Sequence, residues 1–351
     1  MSGVLVPPPW HARDSAQSAA AVDAGALPGR VHRASQTMEA LREHRRTSRT
    51  RSGMSHLGRR SAVTVVSVLL GLLVAEVALR TAWPAWKDLH PPRRLLTAAD
   101  RERARAVLPG MEEVRLRTAD GIELAGWFAA GPRRSAVVLV HGLKGNRAQL
   151  LSEAALLVRH GHGVLVFDSR ASGESGGTVV TWGDAERLDV KAGLEFVSTR
   201  PEVNRSSIGM YGFSVGAMSV ALVAAEDPRV RAVALGSTWP SLRAELSSKF
   251  PTNGGRSSAL ATFMFTLAGS HVGALELGNA VARIVPRPLL LMSGGADRDA
   301  PAALMRQLAA DAPEAELWIV QGAGHGGYVD ADPAEFERRF CGFFDRALTP
   351  K

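Results

Sequence analysis

The sequence predicts an α/β protein whose sheet is mostly parallel and carries helices on both faces. Three observations lead there. Between residues 136 and 347, apolar runs of strand length alternate with longer segments of helical periodicity. Strands that read as continuous apolar runs are those buried on both faces, as in parallel sheets. Just before them, residues 111–118 alternate as a strand, Ala119-Asp120-Gly121 reads as a turn and 122–129 as a returning strand, an antiparallel hairpin. Finally, residues 238–285 separate two strands by far more than one crossover helix needs, which predicts a helical cap insertion over the carboxyl edge of the sheet.

Along the chain, residues 1–60 are expected to form a disordered basic tail. Positions 1–53 are rich in Ala, Ser, Pro, Arg and Gly and poor in large apolar side chains. This tail holds ten arginines, no lysine and four carboxylates, a net +6 of the chain's +8. The body is therefore nearly neutral and has no polyanion-binding signature, so nucleic acid is not an expected partner. Met54 is a candidate alternative start, because it sets a short basic segment directly before an apolar run.

That run, 62–82, reads AVTVVSVLLGLLVAEVALRTA, and its first 14 residues carry no charge. Residues 61–83 are expected to be a single-pass transmembrane signal anchor, with Glu76 and Arg80 paired at i, i+4 near the interface and Trp83 and Trp86 in an aromatic belt. A cleaved signal peptide and an apolar helix packed on a soluble domain are the competing readings. Cleavage lacks a small-x-small site, since Arg80 precedes Ala82 and Glu76 precedes Ala78 by two residues. Arg59 and Arg60 favour a cytoplasmic N-terminus and an extracytoplasmic body, against a counter-bias from Lys87, Arg93, Arg94, Arg101, Arg103 and Arg105. Residues 84–108 read as a linker that starts a short helix, and 109–351 as the enzyme domain.

Strands are expected at 136–140, 163–167, 207–211, 230–235, 288–292 and 316–320. Helices are expected at 148–159, 182–199, 215–225, 301–312 and 333–347, and 260–267 and 272–284 are helical and apolar within the insertion. The single cysteine, Cys341, excludes an internal disulfide and a cysteine-built zinc site. His160, His162 and His271 do not have a metal-ligand spacing, and no phosphate- or dinucleotide-binding loop follows a strand, so no metal or cofactor is expected.

Gly212-Phe213-Ser214-Val215-Gly216 matches G-x-S-x-G. The pattern alone is weak in a chain with 35 glycines, but here it lies between a strand and a helix. That is the setting in which a sharp turn presents a serine as nucleophile and glycines at −2 and +2 remove side chains that would collide. A serine hydroxyl needs an adjacent base, and the order Ser…Asp…His is met by Asp297 and His325, each in a loop after a predicted strand. His325 would take and return the proton while Asp297 orients it. Asp299 is the rival acid, or a cap of the helix that Pro301 starts. The backbone N–H groups of Val215 and Leu143 are the expected oxyanion donors. His141 is expected to hold its loop by hydrogen bonding, and Asp168, Arg170 and Glu174 to form an internal ion-pair network.

With these residues in view, the chain resembles the α/β-hydrolase superfamily over about 110–348. The resemblance rests on VVLVHG (137–142), FDSRASGESGG (167–177), GFSVG (212–216), SGGADRDAP (293–301) and GAGHGG (322–327). It is similar to serine-aminopeptidase-like and monoacylglycerol-lipase-like bacterial hydrolases, often membrane-anchored. Ala171-Ser172 departs from the pattern where Gly and then His or Phe are usual. The resemblance implies an α/β-hydrolase fold and hydrolysis of an ester, thioester or amide. The expected reaction is cleavage of an ester or thioester through an acyl-enzyme on Ser214. A serine peptidase acting on short peptides and a non-catalytic membrane-linked binding module are the alternatives. Trp239, Phe263 and Phe265 are candidates to line an acyl pocket. A peptidase calls for a carboxylate cluster or similar anchor for a substrate amino terminus, and none is seen in the insertion, whose only carboxylates are Glu245 and Glu276.

Overall fold

The computed structural model describes residues 31–250 and 256–349. Its contacts divide the chain at Gly71/Leu72. The described residues of the first unit belong to helix α1 (Val31–Val77). The tail expected to be disordered through residue 60 is thus helical from Val31, and residues 1–30 lie outside the described residues. Good helix formers explain this: Met38 to Arg46 contains Met, Ala, Leu, three arginines and two glutamates, with no Gly or Pro. The helical stretch Arg59–Leu89 is long and apolar enough to cross a membrane, with a mean hydropathy of 2.5 over its best window and no residue of that window buried.

Residues 84–108 do not form a linker. After a π-helical turn at Ala78–Ala82 come α2 (Trp83–Leu89) and α3 (Ala98–Val107). Ala85 and Leu89, one turn apart, are buried, as are Ala104 and Leu108. Helix α3 starts at a reciprocal cap, with the Asp100 N–H donating to Thr97 Oγ1 and the Thr97 N–H to Asp100 Oδ2.

Eight strands follow, interleaved with helices: β1 (Glu112–Arg117), β2 (Glu123–Ala129), β3 (Ala136–Val140), α4 (Leu151–Arg159), β4 (Gly163–Phe167), α5 (Glu186–Thr199), β5 (Ile208–Phe213), α6 (Val215–Glu226), β6 (Val230–Gly236), α7 (Leu242–Lys249), α8 (Arg256–Leu267), α9 (Leu277–Ile284), β7 (Leu289–Gly294), α10 (Ala302–Asp311) and β8 (Glu316–Val320). Short helices α11 (Tyr328–Ala331) and α12 (Pro333–Phe336), a π-helical turn and α13 (Gly342–Leu348) close the chain. The sheet order is β1-β2-β4-β3-β5-β6-β7-β8, antiparallel at β1/β2 and β2/β4 and parallel beyond. Hairpin, parallel body and helices on both faces match the expected fold class.

The period-two alternation of strand side chains divides the core in two. Val138 and Val140 of β3 and Val233 and Leu235 of β6 face α5, α6, α9 and α10. Val137, Leu139, Ala232 and Ala234 face α3, α4 and α13, where Phe340, Phe343 and Phe344 are buried. The insertion is shorter than the expected 238–285. Helix α9 buries Leu277, Ala280, Val281 and Ile284 in the sheet layer beside α6 and α10, and so serves as the β6–β7 crossover. The excursion proper carries α7 and α8. Helix α7, absent from the sequence reading, is started by Ser241, whose Oγ accepts the Ala244 N–H. Helix α8 packs on α2 and on the π-helical turn. Thr81 Oγ1 bonds Ser257 Oγ at 2.7 Å, Lys249 pairs with Asp88 at 2.8 Å, and the Trp182 indole N–H donates to the Asp88 carbonyl.

Candidate active site

The strand β5 ends at Phe213 and α6 begins at Val215, so Ser214 alone makes the turn. It does so at φ 56° and ψ −122°, a conformation that strains a residue with a side chain. The flanking glycines are there for close approach. A Cβ on Gly212 would lie 2.5 Å from Ala217 Cα, and one on Gly216 would lie 2.4 Å from the Val140 carbonyl oxygen. The −2 glycine thus clears the helix, and the +2 glycine clears the end of β3.

The three residues expected to act together are joined. His325 Nε2 lies 2.9 Å from Ser214 Oγ, and His325 Nδ1 lies 2.9 Å from Asp297 Oδ2. Asp297 sits past the end of β7, which neighbours β6, and His325 past β8, the next strand outward. The Asp297 carboxylate is saturated with donors. Its Oδ1 accepts the N–H groups of Asp299 and Ala300, and its Oδ2 accepts the Ser237 hydroxyl at 2.6 Å beside the imidazole. Burial pushes this carboxyl up, but the bonds from His325, Ser237 and Ala300 outweigh it, and the net shift is downward. A carboxylate so held keeps an imidazole in one tautomer, with Nδ1–H toward the acid and Nε2 free to accept the serine proton.

Asp299 stands apart from this chain. It contributes its backbone, accepting the Trp239 indole N–H at its carbonyl, and its side chain is exposed. The N-cap of α10 is Pro301, and no side chain caps it, so Asp299 has neither of the roles expected for it. Leu143 and Val215 both line the cavity that Ser214 and His325 open into. Among the described residues neither of their N–H groups donates within the protein, which leaves two donors available to an oxyanion. His141 holds this loop: its Nδ1 lies 2.7 Å from the Gly142 carbonyl and its Nε2 accepts the Ser169 N–H. Burial pulls its pKa down, so the ring is neutral.

The Asp168, Arg170 and Glu174 set is structural, but its members pair outward. Asp168 and Glu174 both bind the buried Arg147 at 2.6 Å, and Arg170 binds Asp189 and Asp120. Of the expected pocket aromatics, Trp239 lines the cavity. Phe265 is buried edge-on against Trp182, and Phe263 is exposed on α8. His160 and His162 both bond Asp345, and His271 bonds Asp184.

The cavity has a volume of ≈ 550 Å³. Several of its residues were not legible as site residues. Trp182 comes from the segment before α5, and Glu245 and Lys249 come one turn apart from α7. Behind the site, Ser237 (φ 42°) links Asp297 to the buried Tyr328, whose hydroxyl lies 2.5 Å from Ser237 Oγ. Only the position of Ser237 directly after β6, a strand end at the carboxyl edge, could have marked it.

The family model described as X-Pro dipeptidyl-peptidase (S15 family) matches residues 96–250. An uncharacterized protein of Mycobacterium tuberculosis is 30% identical over 276 residues, covering 77% of this chain and 90% of its own. The Pyrococcus furiosus esterase Pf2001 superposes with a TM-score of 0.61 at 26% identity, over 75% of this chain and 99% of that one. The chain belongs to the α/β-hydrolase superfamily. It is a hydrolase of the serine type. As an α/β-hydrolase it is also similar to a thiohydrolase of Eupenicillium brefeldianum, at 34% identity over 35% of this chain and 43% of that one. It shares the fold of the Pyrococcus horikoshii acylaminoacyl peptidase, with a TM-score of 0.54 at 17% identity over 69% of this chain and 42% of that one.

Proposed function

We propose that this α/β-hydrolase is held at a membrane by the apolar helix and cleaves an ester or thioester through an acyl-enzyme on Ser214. The observation that carries the catalytic reading is the unbroken hydrogen-bond chain Ser214–His325–Asp297 opening onto a cavity. In the first half-reaction His325 Nε2 takes the Ser214 proton as Oγ attacks the acyl carbon. The tetrahedral oxygen receives the N–H groups of Leu143 and Val215, and the imidazolium, stabilised by Asp297, protonates the leaving group. Water then repeats the sequence and releases the acid. The likeness to an esterase and a thiohydrolase supports the bond type. The family match to an X-Pro dipeptidyl-peptidase supports a second reading, hydrolysis of short peptides by the same residues.

The test is a fluorophosphonate probe with intact mass as readout. Wild type should gain one adduct, Ser214→Ala none, and His325→Ala should label at least about a thousandfold more slowly. Folded wild type that gains no adduct would overturn the mechanism. Matched p-nitrophenyl ester, thioester and peptide anilide substrates then separate the two bond classes. Membrane attachment is read by carbonate extraction of the full chain against one beginning at Ala98.

A further inference from the structure

The catalytic cavity contains one charged group without an evident role. Glu245 is 7% exposed, yet its carboxylate reaches the cavity that Ser214 and His325 line. Among the described residues no donor or cation comes within bonding distance of it. Lys249, one turn on, is committed elsewhere: it pairs with Asp88 at 2.8 Å and stacks over the Trp182 ring at 4.6 Å. The other charges of the cavity, Lys144, Arg298 and Asp299, are on exposed residues at its rim, where water satisfies them. A carboxylate set in so enclosed a wall and open only to the cavity is poorly hydrated, and a cation bound in the cavity would supply the partner that the protein does not.

Aromatic walls sharpen the chemistry. Trp239 is 5% exposed, lines the same cavity and lies 6.2 Å from the His325 ring, centroid to centroid. Trp182, 5.9 Å from Trp239, forms the adjoining wall. A cavity lined by a carboxylate and two indoles suits an alkylammonium group, which gains from the charge and from the ring quadrupoles at once. A fatty acyl chain would gain from the indoles but leave Glu245 unpaired.

We propose that Glu245, with Trp239, binds a cationic nitrogen of the substrate next to the scissile carbonyl, so that the substrate is an ammonium-bearing acyl compound. The inference rests on the serine-hydrolase reading above. The nitrogen lies either on the acyl part, as in an aminoacyl ester or peptide, or on the leaving group, as in an amino-alcohol ester. Glu245 is then a specificity residue and Ser214, His325 and Asp297 act unchanged.

Burial pushes the Glu245 carboxyl up to about 7, opposed by Lys249 and assisted by Asp88 and Asp299, with His325 also facing it. Preference for a fixed cation should therefore strengthen as pH rises through that value, because only the carboxylate attracts it.

The experiment uses the full chain and two isosteric pairs. Alanine ethyl ester against ethyl isobutyrate places the charge on the acyl side. Acetylcholine against 3,3-dimethylbutyl acetate places a fixed charge on the leaving group. With each pair's kcat/KM ratio divided by its hydroxide-catalysed rate ratio, which removes the inductive activation by the ammonium group, wild type should favour the cationic member of one pair at least about tenfold, and the pair that responds identifies the side. In Glu245→Gln that ratio should fall to about one, and with the choline pair its rise with pH should vanish. The wild-type ratio stands as a test even if the variant folds poorly. A ratio near one in both pairs, or an equal loss on both members of a pair in Glu245→Gln, overturns the proposal. Fluorophosphonate labelling of wild type separates the outcomes: labelling without cation preference sinks only the Glu245 assignment, whereas no labelling sinks the hydrolase mechanism itself.

Discussion

Replacing Ser237 by alanine isolates how Asp297 is held. The Ser237 hydroxyl donates to Asp297 Oδ2 at 2.6 Å and, being spent as a donor, receives the Tyr328 hydroxyl at 2.5 Å. All three groups are buried. A hydrogen bond to a charged acceptor contributes about 1.5–3 kcal/mol, and stranding a buried hydroxyl costs about 1–3 kcal/mol. Ser237→Ala should therefore lose about 3 kcal/mol of stability, of which Tyr328→Phe, which leaves the Ser237–Asp297 bond in place, should lose about 1 kcal/mol. A carboxylate with one donor fewer holds the imidazole less firmly. Forfeiting about 1.4 kcal/mol of that support slows kcat/KM about tenfold, while Tyr328→Phe should stay within about threefold of wild type.

The pH dependence carries a sign. The folded Asp297 carboxyl lies below the usual 3.8, so its stabilisation is complete above that value and is lost as pH falls through the folded value. Removing Ser237 moves the folded value upward, so the stability gap between wild type and Ser237→Ala should narrow below about pH 4. Urea unfolding at pH 7 and pH 3.5, with ester turnover at pH 8, reads all of this. A Ser237→Ala protein with wild-type stability and rate would refute the reasoning, as would a Tyr328→Phe protein that slows turnover equally.

Further expectations follow from other contacts. Gly216→Ala should abolish fluorophosphonate labelling, because its Cβ would press on the backbone oxygens of Val140 and His141, whereas Gly324→Ala, with nothing within 4 Å, should label normally; equal labelling would show that the turn yields. Burial raises Glu153 from 4.5 to about 7, so the folded state favours the neutral acid and loses stability as pH rises from 4.5 through 7; Glu153→Gln should gain up to about 3 kcal/mol over wild type in urea unfolding at pH 8 and much less at pH 5, and an equal offset at both would contradict the burial argument. A chain beginning at Ala98 loses Leu89, Asp88 and the Thr81–Ser257 bond from beneath α8, and should unfold about 3 kcal/mol more easily than one beginning at Leu72; identical unfolding midpoints would make α2 dispensable. Arg147→Met would leave the fully buried Asp168 unpaired and should cost about 3–5 kcal/mol by thermal unfolding.

Much of this was open to reading along the chain because it is local. Strand length, apolar continuity and the hairpin turn fix each element from its own residues, and three of the parallel strands have the expected bounds. The Ser…Asp…His order and the glycines of the elbow are equally local, since a sharp turn dictates small neighbours wherever it occurs. Helix α7 escaped because its one strong signal, the capping Ser241, is a single residue in a polar segment. The linker reading of 84–108 failed because its apolar positions, Ala85 and Leu89, gain meaning only from α8, which arrives some 170 residues later in the chain.

What the sequence by itself determined is therefore the fold class, the glycine-flanked turn that carries Ser214, and the presence of carboxylates and then a histidine after it in chain order, all of which follow from short-range pattern. What only the tertiary structure decided is which of two nearby carboxylates meets the imidazole, which aromatics reach the cavity and which charges there lack partners. Asp297 and Asp299 are two residues apart, yet one is buried under four donors and the other is exposed. Glu245 and Glu276 both fall in the segment expected as the insertion, yet Glu245 lines the cavity of Ser214, while Glu276 lines another with Asp311. Such differences arise from where separate elements come together, and no single segment of sequence carries them.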